Sequence, residues 1–289
     1  MRFADPKNDI AFKKIFGDEN KTEVLISFLN SILDFKDSKQ IKSLTIVNPY
    51  QVPKIEDLKN TILDIKAKNQ DDEEFIVEMQ VERDKNFAKR SLYYTSKSYI
   101  NQLDKAELYP TLKKVYFIGI LDFAIFDTKD YLSQHLILDT KTYKQELKDF
   151  EFNFIELKKF NLKLEECDTL TKKWIYFIKN ASTFKLIPKE YEDIEEFKTA
   201  FEIAKIYNWD KEELEVYDYV SMQDGKRLSE IETAKLDGMK EGLEQGLEQD
   251  EKKKQLEIAK NLLDILDDKT ISLKTGLDNN IIKNLRKEN

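Results

Sequence analysis

The run Val115-Tyr-Phe-Ile-Gly-Ile-Leu-Asp-Phe-Ala-Ile-Phe126 is the most apolar stretch of the chain, and it constrains the architecture more than any other feature. Twelve residues carrying one charge, Asp122, are too few to cross a bilayer, which takes about 20. Read as a strand, the run offers apolar side chains to both faces, so it needs neighbours on both sides of a sheet. The flanking periodicities supply them. Residues 8–33 have helical spacing (Ile10, Phe12, Ile15, Phe16, then Val24, Leu25, Phe28, Leu29), with Asn8 or Asp9 able to cap and Gly17-Asp18-Glu19-Asn20 dividing the run into two helices. Residues 41–49 read as a short strand, and 61–67 and 74–81 as two more joined by a polar loop. Residues 85–103 predict a helix with Phe87, Leu92, Tyr99 and Leu103 inward. Residues 150–157 predict an alternating strand, and 168–220 are helical and rich in aromatics. Strands interleaved with helices give a mixed α/β core over residues 1–220.

Beyond Val220 the composition changes. Residues 221–254 form a charged, helix-favouring linker in which Gly238, Gly242 and Gly246 recur every fourth position, read as flexible spacing between core and tail. Residues 255–289 predict two short helices around Thr275-Gly276-Leu277-Asp278, similar to a helix-turn-helix unit. No apolar stretch follows Arg2, so the expectation is a soluble, cytoplasmic protein.

Chemistry is restricted by scarcity. One cysteine, Cys167, and one histidine, His135, exclude an internal disulfide, thiolate metal clusters and two-imidazole motifs. Neither residue has neighbours that suggest a reactive role. Carboxylates, amides, lysines and hydroxyls must carry the work. The net charge of −8 opposes general attraction to nucleic acid, yet residues 83–114 hold eight Lys/Arg against three Asp/Glu, beside an acidic stretch from Asp71 to Glu82. A local basic strip of this kind suits a polyanion.

The hairpin 61–81 is the informative segment. Alternation puts Glu74, Ile76, Glu78 and Gln80 on one face of the second strand and Phe75, Val77, Met79 and Val81 on the other. A register centred on Asp71 sets Asp64 opposite Glu78 and keeps Leu63, Ile65 and Ala67 with the apolar side. A register half a residue shorter fits the loop nearly as well and sets Asp64 opposite Val77. Directly opposed carboxylates destabilise a sheet unless one is protonated or both share a divalent cation. Mg²⁺ takes one or two carboxylates plus waters and phosphate oxygens, and Gln80 is placed to orient a water or phosphate. The competing reading of D-x-K and E-x-Q on adjacent strands is a solvated sheet face.

Asp64, then Glu78-Met-Gln80, then a basic helix resembles the PD-(D/E)XK nuclease superfamily. Asn8-Asp-Ile-Ala-Phe-Lys-Lys-Ile-Phe-Gly17, Phe87-Ala-Lys-Arg-Ser-Leu-Tyr-Tyr94, Phe154-Ile-Glu-Leu-Lys-Lys-Phe160, Lys173-Trp-Ile-Tyr-Phe177 and the spaced glycines narrow the resemblance to the Rpn family of recombination-promoting nucleases, also labelled transposases. The resemblance implies a restriction-endonuclease-like α/β core that cleaves DNA with Mg²⁺, Mn²⁺ serving as a substitute, in recombination or mobile DNA. It implies Asp64 and Glu78 as metal ligands and Gln80 at the position that is lysine in the wider superfamily, although an amide is neither a cation nor a base. Lys66 is then either the missing positive charge or an ion-pair partner of the acids. Asp9 is either an accessory acid or an N-cap. Lys89, Arg90 and Lys97 either contact DNA phosphates or form a solvated face. Tyr93, Tyr94 and Tyr99 are read as core. The alternative function is a cleavage-deficient DNA-binding relative, or an oligomerising or regulatory protein that self-associates through its C-terminal helices.

Overall fold

A computed structural model describes residues 2–51, 61–103 and 108–288. Of the basic strip, residues 104–107 lie outside the described residues. The chain forms two compact units, Met1–Ser221 and Met222–Asn289.

The first unit is a sheet covered on both faces. Helices α1 (Asp9–Phe16) and α2 (Glu23–Ile32) precede β1 (Leu44–Val47). The short ribbon β2 (Tyr50–Gln51) and β3 (Thr61–Ile62) comes next, followed by β4 (Ile65–Asn69), β5 (Glu74–Gln80), α3 (Phe87–Ile100), β6 (Val115–Leu121), β7 (Leu132–Leu136) and β8 (Phe150–Glu156). Helices α4 (Leu170–Asn180), α5 (Lys189–Glu192), α6 (Glu195–Ala204) and the start of α7 (Lys211–Leu262) complete it. The six-stranded sheet has the order β1-β4-β5-β6-β8-β7; β5, β6 and β8 are parallel, and β1, β4 and β7 pair antiparallel to their neighbours. This is the mixed sheet with flanking helices that the pattern implied.

Two apolar layers hold it. On one face Phe12, Phe16, Phe28, Trp174, Phe177, Phe197 and Phe201 pack against Ile65, Phe75, Val77, Ile118 and Ile120. On the other, α3 and the loop after β6 enclose Leu63, Ile76, Phe87, Phe117, Phe123 and Phe154. β6 is buried along its whole length, as its composition demanded.

The expected strand over 115–126 stops at Leu121, where the chain turns so that the N–H groups of Ile125 and Phe126 donate to the buried Glu156 carboxylate at 2.6 and 3.2 Å. Strand β7, Leu-Ser-Gln-His-Leu, was not foreseen because an edge strand with two exposed polar residues lacks an apolar alternation. Leu92 is exposed rather than inward: α3 buries Phe87, Ser91, Thr95 and Ser98. Small side chains let it lie close over β6, and there a Cβ on Gly119 would come within 3.0 Å of both the Phe87 and Phe154 rings. Ser91 and Thr95 satisfy their hydroxyls on the carbonyls of Ala88 and Ser91. Of the tyrosines read as core, Tyr93 is exposed, whereas Tyr99 packs its ring at a tilt against Phe150 and donates to Asp149 at 2.6 Å. His135 is exposed on β7 against the Phe126 ring, and Cys167 is buried.

In the second unit the glycine tract, read from its composition as flexible spacing, is continuous helix. Ala259 of α7 and Leu263 just beyond it pack with Ile271 of α8 (Asp268–Thr275), Leu277, and Ile282 of α9 (Asn279–Glu288). Asp267 caps α8, and Gly276 ends it in the left-handed conformation, φ +75°, that favours glycine. Among the described residues no helix is long and apolar enough to cross a membrane.

Candidate active site

The hairpin β4–β5 adopts the register in which Ile65 faces Val77, Lys66 faces Ile76 and Ala67 faces Phe75. The same register carried one step further sets Asp64 against Glu78. Asp64 itself lies in a bend just outside β4, and the two side chains replace ladder bonds there. The Asp64 N–H donates to Glu78 Oε1 at 3.1 Å, and the Met79 N–H donates to Asp64 Oδ2 at 2.8 Å. The bend also reverses Leu63, which joins the α3-side cluster instead of the face shared by Ile65 and Ala67.

Nor is this a solvated sheet face. Glu74, Glu78, Glu151 and Glu156 are all buried, at 2, 4, 5 and 0% exposure. Three of them are neutralised by lysine: Glu74 by Lys66 and Lys68 at 2.9 and 3.3 Å, Glu151 by Lys114 at 2.6 Å, and Glu156 by Lys159 at 2.6 Å. Among the described residues Glu78 has no such ion pair; Asp64 repels its charge, and Arg90 and Lys13 offset that only in part. Burial, and then repulsion from Asp64, push its carboxyl up to about 8. Burial likewise raises Asp64, to about 6, against the lowering effects of the Met79 N–H and Lys13. The pair therefore retains a proton near neutrality, and Glu78 is the stronger holder.

The surroundings sort the other candidates. Asn8, not Asp9, caps α1, accepting from the N–H groups of Ile10 and Ala11 at 3.0 and 3.4 Å. Asp9 is thus released from capping: it meets Lys13 at 2.8 Å, and Lys13 in turn lies 3.5 Å from Asp64 Oδ1. Lys66 does not supply charge to Asp64; its ammonium is committed to Glu74. Lys13 is the cation that the sequence reasoning missed. Its position one turn after Asp9 was the available signal, but only the tertiary fold brings α1 beside the hairpin.

Gln80 and Arg90 also meet. The Arg90 guanidinium donates to Gln80 Oε1 and to Asp84 Oδ2, the latter at 3.0 Å, with its Cζ 4.9 Å from the Phe87 ring centre and 5.7 Å from that of Tyr94. Guanidinium groups only donate. The Gln80 oxygen must therefore face Arg90, which leaves its NH₂ group as the outward donor. Arg90 is drawn into the site, while Lys89 stays exposed on α3 and Lys97 lies over the Tyr93 ring at 5.9 Å.

A mixed sheet with helices on both faces and an Asp/Glu-x-Gln pair across its inner hairpin defines a restriction-endonuclease-like core. The chain belongs to the PD-(D/E)XK nuclease family transposases, whose family model matches residues 6–234. No curated protein and no solved structure matches it. Nucleases of this type generally use divalent metals. Among the described residues no group of three or more Asp, Glu, His or Cys side chains is arranged around one ion. What the hairpin offers is a pair of desolvated hard oxygen donors, Asp64 with Lys13 beside it and Glu78 without an ion pair among the described residues. That set fits a magnesium-like cation, which fills its remaining positions with water and phosphate oxygens, and it suits softer metals poorly.

Proposed function

We propose that the protein is a divalent-metal-dependent DNA endonuclease acting in recombination or on mobile elements. The observation that supports this best is Glu78, which among the described residues is a buried carboxylate with no lysine ion pair, whereas the other buried glutamates of the sheet, Glu74, Glu151 and Glu156, each have one. On this reading Asp64 and Glu78 would hold Mg²⁺ or Mn²⁺, which when bound lowers the pKa of a water and offsets charge at a phosphodiester.

The protein's own side chains would do the rest. The Asp64 carboxylate, anchored by the Met79 N–H, is fixed in direction. Gln80 presents its NH₂ to a phosphate oxygen, and Arg90 behind it holds that orientation and contributes the positive charge that an amide lacks. Lys13 balances Asp9 and Asp64. Lys89 and Lys97 on α3 would add backbone contacts along the duplex. Gln80 also supports the second reading, a DNA-binding relative without cleavage, since the superfamily's usual lysine is absent.

Plasmid nicking with Mg²⁺ or Mn²⁺ and an EDTA control separates the two. The endonuclease reading expects metal-dependent nicking that falls at least about 100-fold in Asp64→Asn and Glu78→Gln, the effect of losing roughly 3 kcal/mol of transition-state stabilisation. Equal nicking by those variants sinks the site. DNA binding without scission under any divalent ion favours the second reading.

A further inference from the structure

At the carboxyl ends of β6 and β8 a second group of charges gathers, apart from the hairpin. Asp122 follows β6 directly, and its N–H donates to the Gln80 carbonyl at 2.9 Å, which places it beside the strand that carries Glu78. Lys7 Nζ lies 3.6 Å from Asp122 Oδ2 and 3.9 Å from Asp5 Oδ2, and Lys158 Nζ lies 3.7 Å from Asp122 Oδ1. Lys179 joins them, its ammonium donating to the Phe160 carbonyl. Burial lowers the Lys179 pKa; Asp122 opposes that shift, and Lys158 and Lys7 reinforce it. Three lysines thus face two aspartates. The ion pairs are loose. The lysines that neutralise Glu151 and Glu156 sit at 2.6 Å, in direct hydrogen bonds. The separations around Asp122 all exceed the roughly 3.2 Å of such a bond, so Lys7 and Lys158 bring it donors that it does not take up. The Lys158 side chain is 64% exposed and that of Lys7 24%. Two ammoniums held about one carboxylate, directly bonded by neither, make a seat for an oxyanion.

We propose that Lys7 and Lys158 hold a backbone phosphate of the DNA strand being cut, beside the phosphate engaged at Asp64 and Glu78. The inference rests on the nuclease reading and extends its substrate contacts to a second phosphate. Placement supports it. In open α/β sheets ligands bind outside the carboxyl ends of the strands, and the parallel strands β5 and β6 end together at Gln80 and Leu121. Neighbouring strands lie about 4.8 Å apart, against a rise of about 3.4 Å per nucleotide of one DNA strand. The step from β5 to Asp122 therefore matches a step of one or two nucleotides. Lysine suits the task, being a point charge with three rotatable donors that fixes a phosphate without reading a base. Asp122 keeps the two ammoniums together while no phosphate is present, and it competes with the phosphate for them.

The test measures binding of the full chain to a short labelled duplex by fluorescence anisotropy, in EDTA and over a range of KCl concentrations. Lys7→Gln and Lys158→Gln should each reduce the slope of log affinity against log salt by about 0.9, the loss of one phosphate contact. Lys198→Gln on α6, where the lysine pairs with Glu195, should leave the slope unchanged. Asp122→Asn should tighten binding, and that gain should vanish once both lysines are also replaced by glutamine. In plasmid nicking each lysine variant should raise the DNA concentration for half-maximal rate by about 10-fold, the effect of one charged hydrogen bond, while the rate at saturating DNA holds. Tryptophan fluorescence from Trp174 and Trp209 should stay native in every variant. Unchanged slopes in both lysine variants, or an Asp122→Asn gain that survives the loss of both lysines, overturn the proposal, while metal-dependent nicking by the wild type leaves the nuclease reading standing. Reduced slopes without any nicking by the wild type support the phosphate contact and sink the nuclease reading instead. A wild type that binds no DNA sinks both.

Discussion

Replacing Glu78 by glutamine should stabilise the metal-free protein at alkaline pH. The glutamine amide oxygen can still accept the Asp64 N–H that Glu78 Oε1 accepts at 3.1 Å, so the hairpin keeps its bond while the charge disappears. In the wild type the Glu78 carboxyl is raised from 4.5 to about 8, by burial first and Asp64 second. Because the folded value lies above the unfolded one, folding favours the protonated form. The corresponding stability is fully present below about pH 4.5 and is lost as pH rises through about 8. A shift of that size corresponds to on the order of several kcal/mol, each pH unit counting for about 1.4 kcal/mol. Urea unfolding followed by tryptophan fluorescence between pH 5 and 8.5 measures it, since Trp174 and Trp209 both lie in the first unit. The stability of Glu78→Gln relative to wild type should climb across that window by several kcal/mol. Saturating Mg²⁺ should narrow the gap, a ligand at 100 times its Kd contributing about 2.7 kcal/mol to the wild type. A gap constant with pH would refute the claim that Glu78 is a charge held in the fold against its own preference.

Arg90→Lys should cut metal-dependent nicking by about 10- to 100-fold, the effect of losing a charged hydrogen bond worth about 1.5–3 kcal/mol, because one ammonium cannot hold both Gln80 and Asp84 in a fixed fork; single-turnover nicking checks it. Lys66→Met should lower stability by about 1–3 kcal/mol, since Glu74 retains Lys68 and Ser98, while nicking per folded molecule stays the same. Changed metal affinity in that variant would return Lys66 to the site. Gly119→Ala should cost about 1–3 kcal/mol by forcing apart the Phe87 and Phe154 rings, measured as a shift in the urea midpoint at constant m.

The Asp64–Glu78 meeting was legible in the sequence because a hairpin has one centre and a pleat has period two: the loop placed the centre at Asp71, and the apolar partition of Ile65, Ala67, Phe75 and Val77 chose between two near-equal registers. The bend at Asp64 was not legible, since it arises when side-chain carboxylates capture backbone N–H groups, an exchange that leaves no periodicity; Leu63 changed faces as a result. The inward side of α3 was misread for a related reason. Ser91, Thr95 and Ser98 look like solvent-facing residues in one dimension, yet they are buried under α3, and Ser98 bonds the buried Glu74. Lys13 reaches Asp64 from a distant segment, a contact that local spacing alone does not announce, whereas Asp84 lies only six residues before the Arg90 that it holds. By contrast β6, apolar on both faces, could only be interior.

Because Asp64 and Glu78 each grip the other's strand by a main-chain amide, the pair also acts as a gauge of correct assembly. A chain that joined these strands one residue out of step would turn the whole partition of Ile65 and Ala67 outward and keep neither bond. It would also lack two acids side by side. If the pair is the metal site proposed above, misassembled molecules would be inert rather than indiscriminate, a useful safeguard for a protein whose proposed substrate is DNA.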